Sequence, residues 1–131
     1  MPKNYDPQEV EPQLIDMWME AGAYRRSKGV GDCTVTIPPP NVTGMLHMGH
    51  ALDDTIQDTI VRYNRMKGYS TRWILGTDHA GIATQTKVDK KLKSEGISRL
   101  EIGREKFIDA CWDWTHEYGG IIVDQIKRMG C

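Results

Sequence analysis

The stretch Cys33 to His50, CTVTIPPPNVTGMLHMGH, decides the fold. Its first five residues, Cys33 to Ile37, are short and β-branched enough to predict a buried strand. Pro38, Pro39 and Pro40 then stop it, because proline fixes φ and offers no amide to a strand ladder. Gly44 allows a turn that other residues resist. From His47 to Lys67 the apolar residues Met48, Leu52, Ile56, Ile60, Tyr63 and Met66 recur every three or four positions, which makes one stripe along a helix. Gly68 is a natural stop. The charges follow the helix dipole, with Asp53 and Asp54 early and Arg62, Arg65 and Lys67 late. Thr71 to Leu75 reads as the next strand. Strand, helix, strand returns the chain parallel to itself by a crossover of the usual right hand. The predicted class is therefore α/β, half of a doubly wound parallel sheet with flanking helices.

Outward from this unit the pattern is helical. Before it, Asp6-Pro7-Gln8-Glu9 resembles a capping box, and Leu14, Ile15, Trp18 and Ala21 share one face of a helix that Gly22 ends, with Pro12 as a possible second start. Ser27 to Asp32 is a polar loop. After it, Gly76 to Gly81 is a loop and Ile82 to Lys93 a helix exposing Lys87, Lys90, Lys91 and Lys93. Ser98 and Glu101 form another capping box. Phe107, Cys111, Trp114, Tyr118, Ile122, Ile126 and Met129 continue one stripe through Gly119-Gly120, so a single long, core-packing helix is expected despite about 1 kcal/mol per glycine. Catalytic use of Trp112 or Trp114 is the weaker reading.

Composition bounds the rest. The 17 basic and 18 acidic residues nearly cancel, so no global field advertises a nucleic-acid or membrane partner. The longest apolar runs, such as Gly120 to Val123, are far too short to span a bilayer. The first residues lack the apolar core of a secretory signal, which makes a soluble, cytoplasmic chain the expectation. Cys33, Cys111 and Cys131 fit neither a disulfide framework nor paired metal knuckles and are read as reduced thiols. His47, His50 and His79 make a poor zinc pattern, and no metal site is expected.

In open parallel sheets, ligands gather at the carboxyl ends of strands, here Pro38 to His50 and Gly76 to Gly81. A helix start near His47 presents unpaired amides and the positive end of a dipole, to which two histidines can add hydrogen bonds toward a polyphosphate. Gly49, lacking a side chain, leaves room for a flat ring. A lone histidine here is more often a cap or a surface residue, and the bland reading of Asp78 is a helix cap.

Together, the string from Pro38 to His50 resembles the nucleotide-binding signature of class I aminoacyl-tRNA synthetases, and its His47-Met48-Gly49-His50 variant after three prolines resembles the branch that handles branched-chain amino acids. Gly76-Thr77-Asp78-His79-Ala80-Gly81-Ile82-Ala83-Thr84-Gln85 is similar to the valyl form of that branch. The likeness extends to Tyr5–Trp18, Arg62–Gly68 and Gly103–Phe107. It implies that residues 33–131 are the first half of a Rossmann-like ATP-binding catalytic domain, preceded by a helical segment and loop over 1–32.

The resemblance also implies roles. His47 and His50 would contact the phosphates of ATP and stabilise charge on the α-phosphate, with Thr43, Gly44 and Gly49 completing the ATP site and Gly49 letting adenine stack. Asp78 would pair with the valine ammonium, and Pro39, Pro40 and Asn41 would wall its side chain. ATP with Mg2+, valine and tRNA(Val) are the implied substrates and partners. No lysine-rich second signature, editing domain or anticodon-reading domain occurs in the sequence, so a truncated half-site is expected. The alternative is a nucleotide-binding fragment without turnover that needs its missing half. Self-association through exposed apolar surface follows from such a truncation. A general tRNA-binding role for the Lys87 to Lys93 cluster is weaker, since lysine runs are usually solvated surface.

Overall fold

The computed structural model describes residues 4–25 and 28–131. Four helices and two strands follow in the order α1 (Pro7–Glu20), β1 (Asp32–Thr36), α2 (Met48–Met66), β2 (Ser70–Ile74), α3 (Gly81–Ser94) and α4 (Arg99–Arg128). The residues group into two compact units. The first comprises Met1–Ile37, Met48–Leu75 and Gln125–Cys131, and the second Pro38–His47 and Gly76–Asp124.

The first unit holds the sheet. β1 and β2 pair in parallel, from Asp32 opposite Ser70 to Thr36 opposite Ile74, and α2, which connects them through the chain, packs on both. This is the strand, helix, strand unit that the sequence predicts, each strand beginning one residue earlier than expected. β1 is not fully buried, because its residues alternate between exposed and half-buried; the buried position is Ile37, just beyond it, 2% exposed. Gly29 explains how the chain enters β1: a Cβ there would sit 2.3 Å from the amide nitrogen of Ser70, and only a residue without one permits Val30 N–H to donate to Gly68 O at 3.0 Å.

α2 lies one residue inside the expected limits at each end, and its apolar stripe is not the side that meets the sheet. The side against the sheet buries Asp54 and Val61, whereas the apolar stripe lies outward, with Met48 84% and Leu52 66% exposed. Periodicity of 3.6 identifies a face but not which neighbour meets it. α1 begins as expected, Asp6 accepting from Gln8 N–H at 2.9 Å, but runs straight through Pro12 rather than restarting there. Gly130 fits against Trp18 and its carbonyl accepts from Arg62 and, at 3.5 Å, from the Tyr24 hydroxyl. A cavity of about 290 Å³ in this unit is lined by Ile15, Met19, Tyr24, Val61, Trp73 and Ile126 among others.

In the second unit α3 covers the predicted span and exposes its lysines; Lys93 pairs with Asp89 at 2.7 Å. The capping box before α4 forms, Ser98 N–H donating to Glu101 and Leu100 N–H to the Ser98 hydroxyl, both at 3.3 Å. α4 is interrupted at Gly103, whose φ of 80° and ψ of 169° are not helical, and it passes unbroken through Gly119-Gly120. The expected single helix thus has a kink, at a glycine other than the pair that drew attention. Its stripe is half-buried or buried from Phe107 to Ile126, and Met129 is exposed. No described helix is long and apolar enough to cross a membrane.

Candidate functional site

Within the second unit the two loops singled out in the sequence run side by side. Asn41 and Asp78 form a parallel bridge. Asp78 N–H donates to Pro40 O at 2.9 Å, and Val42 N–H donates to Asp78 O at 3.0 Å. The sequence dictates this pattern: Pro38 to Pro40 have no N–H, so the proline run contributes a carbonyl, and pairing by a donor resumes after it. Pro40 and Val42 are buried, Pro39 and Asn41 exposed. Pro39, Pro40, Asn41 and Asp78, the residues expected around an amino acid, are therefore brought together in one unit.

Asp78 is exposed, and its Oδ1 accepts from Ala80 N–H at 3.0 Å. This short loop of Asp with the backbone two residues on stabilises the left-handed conformation of Ala80, φ 48°. α3 starts immediately after, with no side chain capping it. Asp78 thus shapes the turn before the helix rather than capping the helix itself. Thr84, buried, donates to His79 O at 2.5 Å and closes the same turn.

α4 fixes the other loop. Trp114 Nε1 donates to Val42 O at 2.7 Å, while its ring stacks on Tyr118 at 4.1 Å and carries Lys91 Nζ at 5.9 Å. Expected as core packing, Trp114 also holds the backbone of the candidate loop. Trp112, two residues away and so on the opposite face, is 50% exposed, contacts His79 edge-on at 5.3 Å and stacks on His116 at 6.0 Å. With Thr84, Arg104, Phe107 and Cys111, His79 and Trp112 line a cavity of about 330 Å³. None of Pro39, Pro40, Asn41 and Asp78 lines it.

Thr43 and Gly44 are half-buried and His47 exposed in the second unit, while Gly49, exposed, and His50, half-buried, belong to the first. Gly44 does not take up a positive φ, and a Cβ there would meet nothing within 4 Å, so the turn itself does not demand glycine. α2 starts at Met48, one residue after His47. One turn after His50 on this helix, Asp54 is 2% exposed and its Oδ2 has no hydrogen-bond partner. Burial, then the Asp53 charge, push its carboxyl above the ordinary value, and His50 pulls it back. Burial, with Asp58 and Asp54, likewise drives the Cys131 thiol up to about 12 against the opposing pull of Arg62. Sequence reasoning counted Asp54 as a dipole charge and missed its burial; its spacing of four from His50 was the available signal. It missed the Trp114 bond too, and there the inward stripe of α4 was the only hint.

Among the described residues no group of three His, Cys, Asp or Glu could hold a metal ion. The chain matches the family described as tRNA synthetases class I (I, L, M and V) over residues 13–131. A Porphyromonas gingivalis protein named valine--tRNA ligase is 55% identical over 96% of this chain, which covers 14% of that relative. Proteins of the same name from Fusobacterium nucleatum and Thermus thermophilus are each 49% identical, over 98% and 99% of the chain and 15% of their own lengths. The chain thus spans about one-seventh of the relatives it resembles. The match runs over almost the entire sequence, and the chain belongs to the class I tRNA synthetases.

Proposed function

We propose that this chain carries the ATP and valine half-site of an enzyme that activates valine as valyl-adenylate and transfers it to tRNA(Val). The observation that carries this reading is the pairing of Asn41 with Asp78, which sets a proline-stiffened wall beside an exposed carboxylate in one unit. An ammonium needs a charged partner, and Asp78 supplies it. Pro39, Pro40 and Asn41 bound the space for a small branched side chain, held by backbone that cannot relax freely. His47 and His50 are assigned to the phosphates of ATP, Thr43, Gly44 and Gly49 are further ATP-binding residues, and Gly49 admits the adenine plane. Residues 33–131 are read as the first half of the catalytic domain, after a helical segment and loop over 1–32.

The chemistry is positioning and charge stabilisation. The valine carboxylate attacks the α-phosphorus of ATP in line, pyrophosphate leaves, and preorganised donors meet the negative charge that spreads over the phosphate oxygens. The terminal ribose hydroxyl of the tRNA then attacks the adenylate carbonyl and AMP leaves. Mg2+ would enter with the phosphates of ATP and neutralise part of their charge; no described cluster of side chains is built to hold it alone. A cytoplasmic setting belongs to the same proposal. So does self-association through the outward stripe of α2, a second copy covering apolar surface that is otherwise wet.

Valine-dependent exchange of labelled pyrophosphate into ATP tests the reading. The chain is expected to exchange feebly, and a His47→Ala, His50→Ala double variant not at all. Exchange above background that is equal in both overturns the assignment of the histidines. Because the chain spans so little of its relatives, a second reading is a nucleotide-binding piece without turnover: binding of ATP that depends on both histidines, with no exchange, selects it.

A further inference from the structure

Asp54 is an anomaly of α2. A carboxylate buried on the sheet side of a helix, with one oxygen unpartnered, normally costs stability, and an apolar residue would fill the place better. It lies four residues, one turn, beyond His50, so the two side chains share a face. They are near enough for the imidazole to act on the carboxyl electrostatically. The other groups that bear on Asp54 are Asp53 beside it and the Cys131 thiol from the C-terminal turn, the latter protonated throughout the ordinary range. Neither is a cation. Of these three groups, His50 is the one with a nitrogen that can donate to the carboxylate.

We propose that Asp54 is a positioning residue for His50, its buried carboxylate accepting from one imidazole nitrogen so that the other presents its N–H to an ATP phosphate. The inference rests on the nucleotide reading above for the ligand, but not for the pairing. An imidazole with one nitrogen satisfied by a carboxylate is held in one tautomer and one ring orientation, and a phosphate then meets a donor already aimed. Asp54 has no contact with substrate in this scheme; it acts through His50. The desolvated carboxylate is tolerated because the fold gains a fixed donor at a helix start that also carries the positive end of the dipole.

The 131-residue chain, labelled with 15N in its histidines, tests this directly. His50→Gln assigns the imidazole signals. In the parent chain the two His50 nitrogens are expected to give distinct shifts of a single tautomer, and in Asp54→Asn an averaged pair. Unchanged shifts in Asp54→Asn overturn the proposal. ATP titrated into the same proteins gives the second readout: Asp54→Asn is expected to bind roughly tenfold more weakly while unfolding at a higher temperature, a split that a purely structural role would not produce. In a His50→Gln background, Asp54→Asn is expected to have no further effect on ATP affinity. Loss of ATP binding together with a lower unfolding temperature marks Asp54 as structural and overturns the proposal. If His50→Gln leaves ATP affinity intact but Asp54→Asn still averages the His50 shifts, the nucleotide reading fails and the pairing stands.

Discussion

Trp114 donates its indole N–H to the carbonyl of Val42, 72 residues earlier in the chain, at 2.7 Å. Val42 is completely buried, so the carbonyl has no water to turn to if the indole is lost. Trp114→Phe keeps a ring and removes the donor, and is expected to destabilise the chain by about 1–3 kcal/mol. Trp112→Phe, at a half-exposed ring, is expected to cost markedly less. Urea unfolding of the two variants checks the order, with a lower midpoint and unchanged slope for Trp114→Phe.

Cys131 should be chemically quiet. With its thiol pushed up to about 12 by burial and by Asp58 and Asp54, the reactive thiolate is scarce at pH 8. Alkylation there is expected to run on the order of a thousandfold slower than for a free cysteine. It should speed up steeply toward alkaline pH. Mass spectrometry of iodoacetamide-treated chain measures the site-specific rate. Prompt labelling of Cys131 at pH 8 would show that the C-terminal turn is not held against α2 in solution.

The parallel pairing of β1 with β2 and the limits of α2 and α3 were legible because each depends on near neighbours in sequence: β-branched runs, glycine and proline stops, a 3.6-residue period. Which side of α2 meets the sheet was not legible, because Asp54 on the buried side contradicts the rule that charge faces water. The kink at Gly103 was missed for a similar reason. A glycine lowers the cost of leaving the helix without announcing that the chain does so, and Gly119-Gly120 shows the opposite outcome. At the site, the two strand-end loops were readable as candidate segments from the strand pattern, but their pairing through Asn41 and Asp78 was not foreseen. The bond from Trp114 lies too far along the chain for any local pattern to reveal it.

The outward stripe of α2 gives the self-association proposal a specific test. Leu52 and Ile56 lie in the middle of it and are 66% and 54% exposed. Replacing both with lysine removes apolar surface from water at little cost to the fold, surface changes being usually within about 0.5 kcal/mol. Sedimentation of the parent is expected to depend on concentration, and that of the Leu52→Lys, Ile56→Lys variant to be monomeric with an unchanged thermal midpoint. Equal sedimentation of the two would place any association elsewhere.

Asp54→Asn separates stability from function through its pH dependence. The folded chain holds the Asp54 carboxyl above its ordinary value, while in the unfolded chain it titrates at about 3.9. The folded state therefore binds that proton more tightly than the unfolded state. Its favourable contribution is complete below the unfolded value and is lost as pH rises through the folded one. At neutral pH the charged carboxylate, with one oxygen unpaired, is thus a burden that an amide of the same shape largely removes. Asp54→Asn is expected to be more stable than the parent by about 1 kcal/mol at pH 7. The difference should shrink as pH falls toward 4 and vanish below it, where both side chains are neutral. Thermal melts of the pair between pH 3 and pH 7 measure it. A constant difference across that range would mean that Asp54 does not titrate differently in the folded chain, and that its burial is compensated by a partner other than His50.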